Sequence, residues 1–197
     1  MPRPRRASGF TVIEVLTALA IAAVVAAMTL PPMSRALADV RIQFDARAIH
    51  RLISSTLMTA AAKYTRTRVI ADLGAGTLRA QRLDRVANVW VDDGDVVALS
   101  SSVHFGTSTL QEPPPSTQTT LGQSPACLND AHTPIAGTAC ILFNSRGIPI
   151  DGSGSPVGSS ALYITNGVQV FGVTLSATPL VRLWSSPAYA AQWTQRP

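Results

Sequence analysis

Lysine is almost missing from this 197-residue chain, with Lys63 alone beside fifteen arginines. Charge of either sign is scarce. Only 14% of residues carry it, against about 25% in ordinary globular domains. A basic disordered tail is excluded, because 46% of the residues are apolar and such a chain buries surface rather than staying solvated. Two cysteines are too few for a disulfide-stapled mini-protein. The three histidines, His50, His104 and His132, are scattered. No G-x-S-x-G, H-E-x-x-H, P-loop or G-x-G-x-x-G occurs, so no catalytic constellation, cofactor cradle or metal set is legible. The chain reads as a non-enzyme without cofactor or metal.

Long apolar runs are also few, and the single one is informative. Phe10 to Leu30 contains 21 residues and one charge, Glu14. As a helix rising about 1.5 Å per residue it matches a hydrocarbon core of about 30 Å. Arg3, Arg5 and Arg6 precede it without an acid, which places the N-terminus on the cytoplasmic side. The competing reading is a cleavable secretory signal, with Ala36-Leu37-Ala38 as its cleavage site. A signal core of roughly 7–15 residues is shorter than this run, and a carboxylate inside it is unusual, so a retained anchor is favoured. Glu14 has no cation within the apolar stretch. A carboxylate there costs up to about 2.5–3.5 kcal/mol. An α-amino group created by cutting before Phe10 would compensate it.

The string Gly9-Phe10-Thr11-Val12-Ile13-Glu14-Val15-Leu16 resembles the signal of type IV prepilins and type II secretion pseudopilins. The resemblance implies cleavage after Gly9 by a prepilin peptidase and N-methylation of Phe10. It makes Glu14 the assembly glutamate, pairing with a neighbouring subunit's amine, and Pro31 the residue that kinks the long helix. It implies other pilin or pseudopilin subunits, the peptidase and an inner-membrane assembly platform as partners. The protein would sit in the bacterial inner membrane as a single-pass protein, and later in a periplasmic or extracellular filament.

From Met33 to about Lys63 a second helical stretch follows. Leu37, Val40, Phe44, Ile49, Leu52, Ile53 and Leu57 recur near a 3.6-residue period, and the run reads as a continuation of the first helix, broken at Pro31-Pro32. Beyond Val69 the pattern turns to short strands at 88–91, 96–99, 140–143, 161–165, 169–175 and 180–184. Asn166-Gly167 between two apolar runs is the strongest hairpin signal. Residues 110–134 are rich in Pro, Thr and Gln and read as a long exposed loop. Asp92-Asp93-Gly94-Asp95 reads as a solvated turn rather than a calcium loop.

The expected fold is α+β: a membrane-spanning N-terminal helix packed on a C-terminal antiparallel β-sheet head, as in pilins. The expected organisation is a leader at 1–9, an assembly helix at 10–30, an amphipathic continuation at 31–66 and a β-rich head at 67–197. Cys127 and Cys140 allow one intramolecular pairing, the alternative being two free thiols. An oxidising compartment favours the bond.

The stretch Cys140 to Gly147 resembles the F-x-x-x-G strand-turn of FimT-type minor pilins and H-type pseudopilins. DNA-binding members of the FimT type carry an arginine motif near the C-terminus, where this chain has only Arg182 and Arg196. The favoured function is therefore a structural subunit, minor pilin or pseudopilin. A pilus-tip module for DNA or surfaces, or a major pilin, is the alternative. Residues 35–85 hold ten basic and four acidic residues, and residues 86–197 three and six. Nucleic acid is thus not a favoured partner, and contacts with it would be sought first at Arg66, Arg68, Arg79, Arg82 and Arg85.

Overall fold

The computed structural model describes residues 10–197, and for residues 28–35 only the course of the main chain. The leader read at 1–9, Gly9 included, lies outside the described residues. The chain divides into two compact units, 1–38 and 39–197. Among the described residues there are one helix and eleven strands.

α1 (Val12–Lys63) is a single helix of 52 residues. Its start is fixed by sequence chemistry. Thr11 stands at the N-cap, its hydroxyl accepting from the Glu14 N–H at 3.3 Å, while the Glu14 carboxylate reaches back toward the Thr11 N–H at 3.5 Å. This is the reciprocal Thr-x-x-Glu capping box. The helical course passes through Pro31 and Pro32, so the prolines do not end it. Each removes an N–H from the ladder and sets its ring against the carbonyl four residues back, and the flanking Ala-, Leu- and Met-rich turns, strong helix formers, offset this. The end is equally local. Tyr64 takes a left-handed φ of 49°, and the Thr65 N–H returns to the Ala60 carbonyl at 3.3 Å, closing the last turn as a Schellman motif.

In the second unit two antiparallel sheets share one core with the C-terminal part of α1. The first sheet is built from β1 (Thr67–Asp72), β2 (Thr77–Asp84), β3 (Val89–Asp92), β4 (Val97–Ala98), β6 (Thr138–Phe143) and β7 (Pro149–Ile150). Its order is β3-β2-β1-β6-β7, with β4 also pairing β2. The second holds β5 (His104–Phe105), β8 (Ser159–Thr165), β9 (Gln169–Ser176), β10 (Val181–Pro187) and β11 (Thr194–Arg196), ordered β11-β10-β9-β8-β5. Asn166-Gly167 makes the β8–β9 hairpin. Asn166 Oδ1 accepts from the N–H groups of Val168 and Gln169, and Gly167 supplies the left-handed φ of 84° that a side chain would resist.

The helix face that enters this core matches the expected one in part: Ile49 and Ile53 lie in it and Leu52 and Leu57 pack against it. Ile42, Ala46, Ile49, Ile53 and Ala60 are fully buried. Their spacing of four, three, four and seven is one helical stripe. They meet Val69, Ala71, Leu78, Ile141 and Phe143 of the first sheet and Leu162, Ile164, Val173, Leu175 and Leu183 of the second. Leu37, Val40 and Phe44, read from the sequence as part of the core face, are exposed, Phe44 by 63%. Ala46 and Ala60 are buried in this stripe beside the larger isoleucines.

The segment 110–134 is also corrected. It is irregular, but it is not simply an exposed loop. Leu110, Ser124 and Cys127 are buried. Ser124 and Gln123 lie along β8 and complete its hydrogen bonding. Ser124 N donates to the Ala161 carbonyl at 2.8 Å, and the Ser124 hydroxyl accepts from Ala161 N at 3.0 Å. Gln123 accepts from Tyr163 N at 2.9 Å and donates to the Tyr163 carbonyl at 2.7 Å. Leu110 then joins Ala161, Tyr163, Val170 and Ala188 in a second small core on the far face of this sheet. Gly172 is needed there, since a Cβ on it would come within 2.6 Å of the Tyr163 ring.

Candidate functional site

Phe10, Glu14 and the apolar helix that follows form the first candidate region. Phe10 is 81% exposed, and Val12, Ile13, Leu16, Leu19, Ile21 and Val24 are exposed on all sides of the helix. A helix that is apolar all round is ordinarily found inside a protein or a membrane. Among the described residues no helix is long and apolar enough to cross a membrane. The stretch expected to span, 10–30, continues past residue 27 into residues whose side chains are not described.

Cys127 and Cys140 are joined in a disulfide, with Cα atoms 4.8 Å apart. Cys140 lies in β6 and Cys127 in the preceding loop. Pro125 and Thr138 complete the attachment, Cys140 N donating to the Pro125 carbonyl at 2.8 Å and Cys127 N to the Thr138 hydroxyl at 3.1 Å. The bond straps this loop over the outer face of the first sheet, the face turned away from α1.

The five arginines expected to meet nucleic acid have different surroundings. Arg68 is buried in β1, 5% exposed. It stacks on the Trp90 ring at 4.2 Å from the centroid and donates through Nε to Gln81 Oε1 at 2.7 Å and through Nη1 to the Leu128 carbonyl. Burial pulls its pKa down to about 10, with Asp130 and Asp92 opposing that shift and Arg79 adding to it, so it is charged at neutral pH. Arg79 pairs with Asp92 at 3.7 Å, and Arg82 reaches Asp93 at 4.0 Å. Asp93 also receives Lys63 at 3.1 Å. The acidic turn is thus engaged with cations of β2 and the helix end, and among the described residues no cluster of metal-ligating side chains forms. Arg66 and Arg85 are exposed.

A different basic cluster was not legible in the sequence. Arg47 and Arg51 on α1, Arg182 on β10 and Arg196 on β11 border one shallow depression that His50 and Gln195 also line, Arg196 at a register position on the Leu183 face of the sheet and Arg182 on the opposite face. None of the four arginines is in an ion pair with a described residue. Arg47 and Arg51 are one helical turn apart, a spacing at which like charges repel. Spacings of four residues on the helix and fourteen across the sheet hid the cluster, because only the β10–β11 pairing, with Leu183 opposite Arg196, brings the C-terminus back to the helix.

Residues 4–30 match the family described as Prokaryotic N-terminal methylation motif. A comparison with curated proteins finds no match. Among solved structures the chain is similar to the minor pseudopilin EpsH from the Type 2 Secretion System of Vibrio cholerae, at 13% identity over 73% of this chain and 95% of that one, with a TM-score of 0.47. By its N-terminal segment, the chain carries a prokaryotic N-terminal methylation motif.

Proposed function

We propose that this protein is a structural subunit, minor pilin or pseudopilin, of a type IV pilus or type II secretion filament. The observation that carries the reading is the joint occurrence of the methylation motif over residues 4–30 with an apolar helix exposed on all sides from Phe10 onward. Prepilin peptidase cuts after Gly9, and Phe10 becomes the methylated N-terminus. The helix anchors the subunit in the inner membrane and afterwards packs among neighbouring helices. Ala18, Ala20, Ala22, Ala23, Ala26 and Ala27 allow the close approach such packing requires. Pro31 supplies a bend, since it removes one rung of the helical ladder. The second unit is the periplasmic or extracellular head, held by the Cys127–Cys140 bond.

Mass spectrometry of the protein from cells with active prepilin peptidase tests this. The mature chain is expected to begin at a methylated Phe10. An intact Met1 terminus would overturn the reading, and a terminus at Asp39 would replace it with a secretory signal.

The grouping of Arg47, Arg51, Arg182 and Arg196 around one depression favours a second reading, a head that also holds a nucleic-acid backbone. The full chain is then expected to bind duplex DNA with an affinity that falls steeply with salt. In an electrophoretic shift series, Arg182→Gln with Arg196→Gln should flatten the log–log salt slope by roughly one unit per lost phosphate contact. Arg66→Gln with Arg85→Gln should leave the slope unchanged. A flat salt response of the unaltered chain removes this second reading and leaves the structural role standing.

A further inference from the structure

Arg68 is a buried cation without a buried anion. Among the described residues no carboxylate lies within ion-pair distance of it. Burying a guanidinium is costly unless its charge and its donors are met. Gln81 and the Leu128 carbonyl take two donors, and Trp90 covers one face. The Nη2 group has no hydrogen-bond partner among the described residues, and it is not itself a buried atom, so it is open to the cavity it faces. Gln81 is itself held in place, donating to Asp92 Oδ1 at 2.6 Å, so the guanidinium is fixed rather than mobile.

This side chain lines a cavity of about 250 Å³ on the outer face of the first sheet. The walls are mixed: Leu83 and Leu142 from the strands, Leu128 from the disulfide-bonded loop, and Ile150 and Val157 from the segment that follows β6 form an apolar part, beside the polar Asn88, Asn129 and Ser160. The two covering segments are pressed together beside it. Gly152 approaches Leu128 so closely that a Cβ would meet its Cδ1 at 2.6 Å. Asp130 and Asp151 also line the cavity, and their charges disfavour a multiply charged anion such as phosphate. Arg66, which is exposed, and His132 line it too, so the two aspartates offset one arginine, and what fits the buried, fixed Arg68 beside the apolar side chains is a single negative charge on an apolar body.

We propose that the cavity formed by Arg68, Trp90 and the disulfide-bonded loop is a binding site for a carboxylate borne on an apolar body. The carboxylate completes the donors of Arg68, and the apolar portion fills the space between Leu83, Leu142 and Val157. Two sources offer this chemistry, the apolar C-terminal residue of a polypeptide and a free aryl or alkyl carboxylic acid. The site is independent of the filament reading.

Isothermal titration of the full chain in an uncharged maltoside detergent tests the proposal with four probes: 3-phenylpropionate, 3-phenylpropanol, N-acetyl-Leu-Phe and its C-terminal amide. Both acids should bind at least about tenfold more tightly than their neutral partners, the scale of one charge-assisted hydrogen bond. The tighter of the two acids identifies the source. Arg68→Gln should abolish the preference for acids. If that variant does not fold, Val157→Trp, which fills the cavity and keeps Arg68, should abolish binding of both acids. Equal affinity for acid and neutral probe, no binding by the unaltered chain, or acid binding that survives Val157→Trp overturns the proposal.

Discussion

Glu14→Ala is expected to abolish incorporation into a filament while leaving membrane insertion intact. Insertion should not suffer, because alanine removes a carboxylate that costs up to about 2.5–3.5 kcal/mol in an apolar helix. Assembly should fail, because the proposed partner of that carboxylate is the amine of Phe10 on a neighbouring subunit. The structure adds a complication that decides the choice of variant. Glu14 also closes a capping box with Thr11, and loss of a helix cap typically costs about 1 kcal/mol. Glutamine serves the box as well as glutamate does but carries no charge. Glu14→Gln should therefore be as defective as Glu14→Ala in sheared-filament fractions, with both variants found normally in the membrane. Normal assembly of the glutamine variant would show that capping is what Glu14 supplies and would end the charge-pair role.

Phe143→Ala is expected to be the most damaging single truncation in the second unit. The ring is 0% exposed and lies on β6 between Thr67 of β1 and Pro149 of β7. Replacing a buried phenylalanine by alanine removes about 3–5 kcal/mol, a large share of the 5–15 kcal/mol that holds a typical domain together. For a unit of this size the melting temperature should fall by roughly 6–20 °C, measured by circular dichroism at a strand wavelength. A fall of only a degree or two would mean that the site collapses around the gap or that Phe143 does not anchor the core. Four residues on, Gly147 has a φ of 75°, and a Cβ there would lie 3.2 Å from the Leu57 carbonyl of α1. The F-x-x-x-G spacing therefore has a physical meaning in this chain. One end fills the core, and the other lets the turn touch the helix.

The parts of the fold that were legible are those governed by local chemistry. The helix stop near Lys63, the Asn166-Gly167 hairpin and six of the strands each carry their own signal. β1 was missed because its outer face is covered. β1 is buried on both faces over Thr67–Ala71, so it lacks the alternation that marks a half-exposed strand, and Arg68 lies inside rather than at the surface. The helix face was misjudged in part. Ala46 and Ala60 lie in the buried stripe, and alanine contributes almost nothing to a periodicity count. For the candidate regions, Gly9, Phe10 and Glu14 stand contiguous in sequence and could be read together. Arg47, Arg51, Arg182 and Arg196 are grouped only through tertiary folding, as are Arg68, Trp90 and Leu128.

Gln123 and Ser124 give β8 a boundary made partly of side chains. An open strand edge invites another chain to extend the sheet, and this danger grows with crowding. The other borders of the two sheets are short: β5 and β7 have two residues each, β11 three and β3 four. A molecule whose work would be to stand shoulder to shoulder with its own kind must tolerate very high local concentration without fibrillising through its sheets. On the proposed filament reading, the polar strap across Ala161 and Tyr163 leaves ordered self-association to the helix, whose exposed side chains between Phe10 and Val25 are mostly apolar.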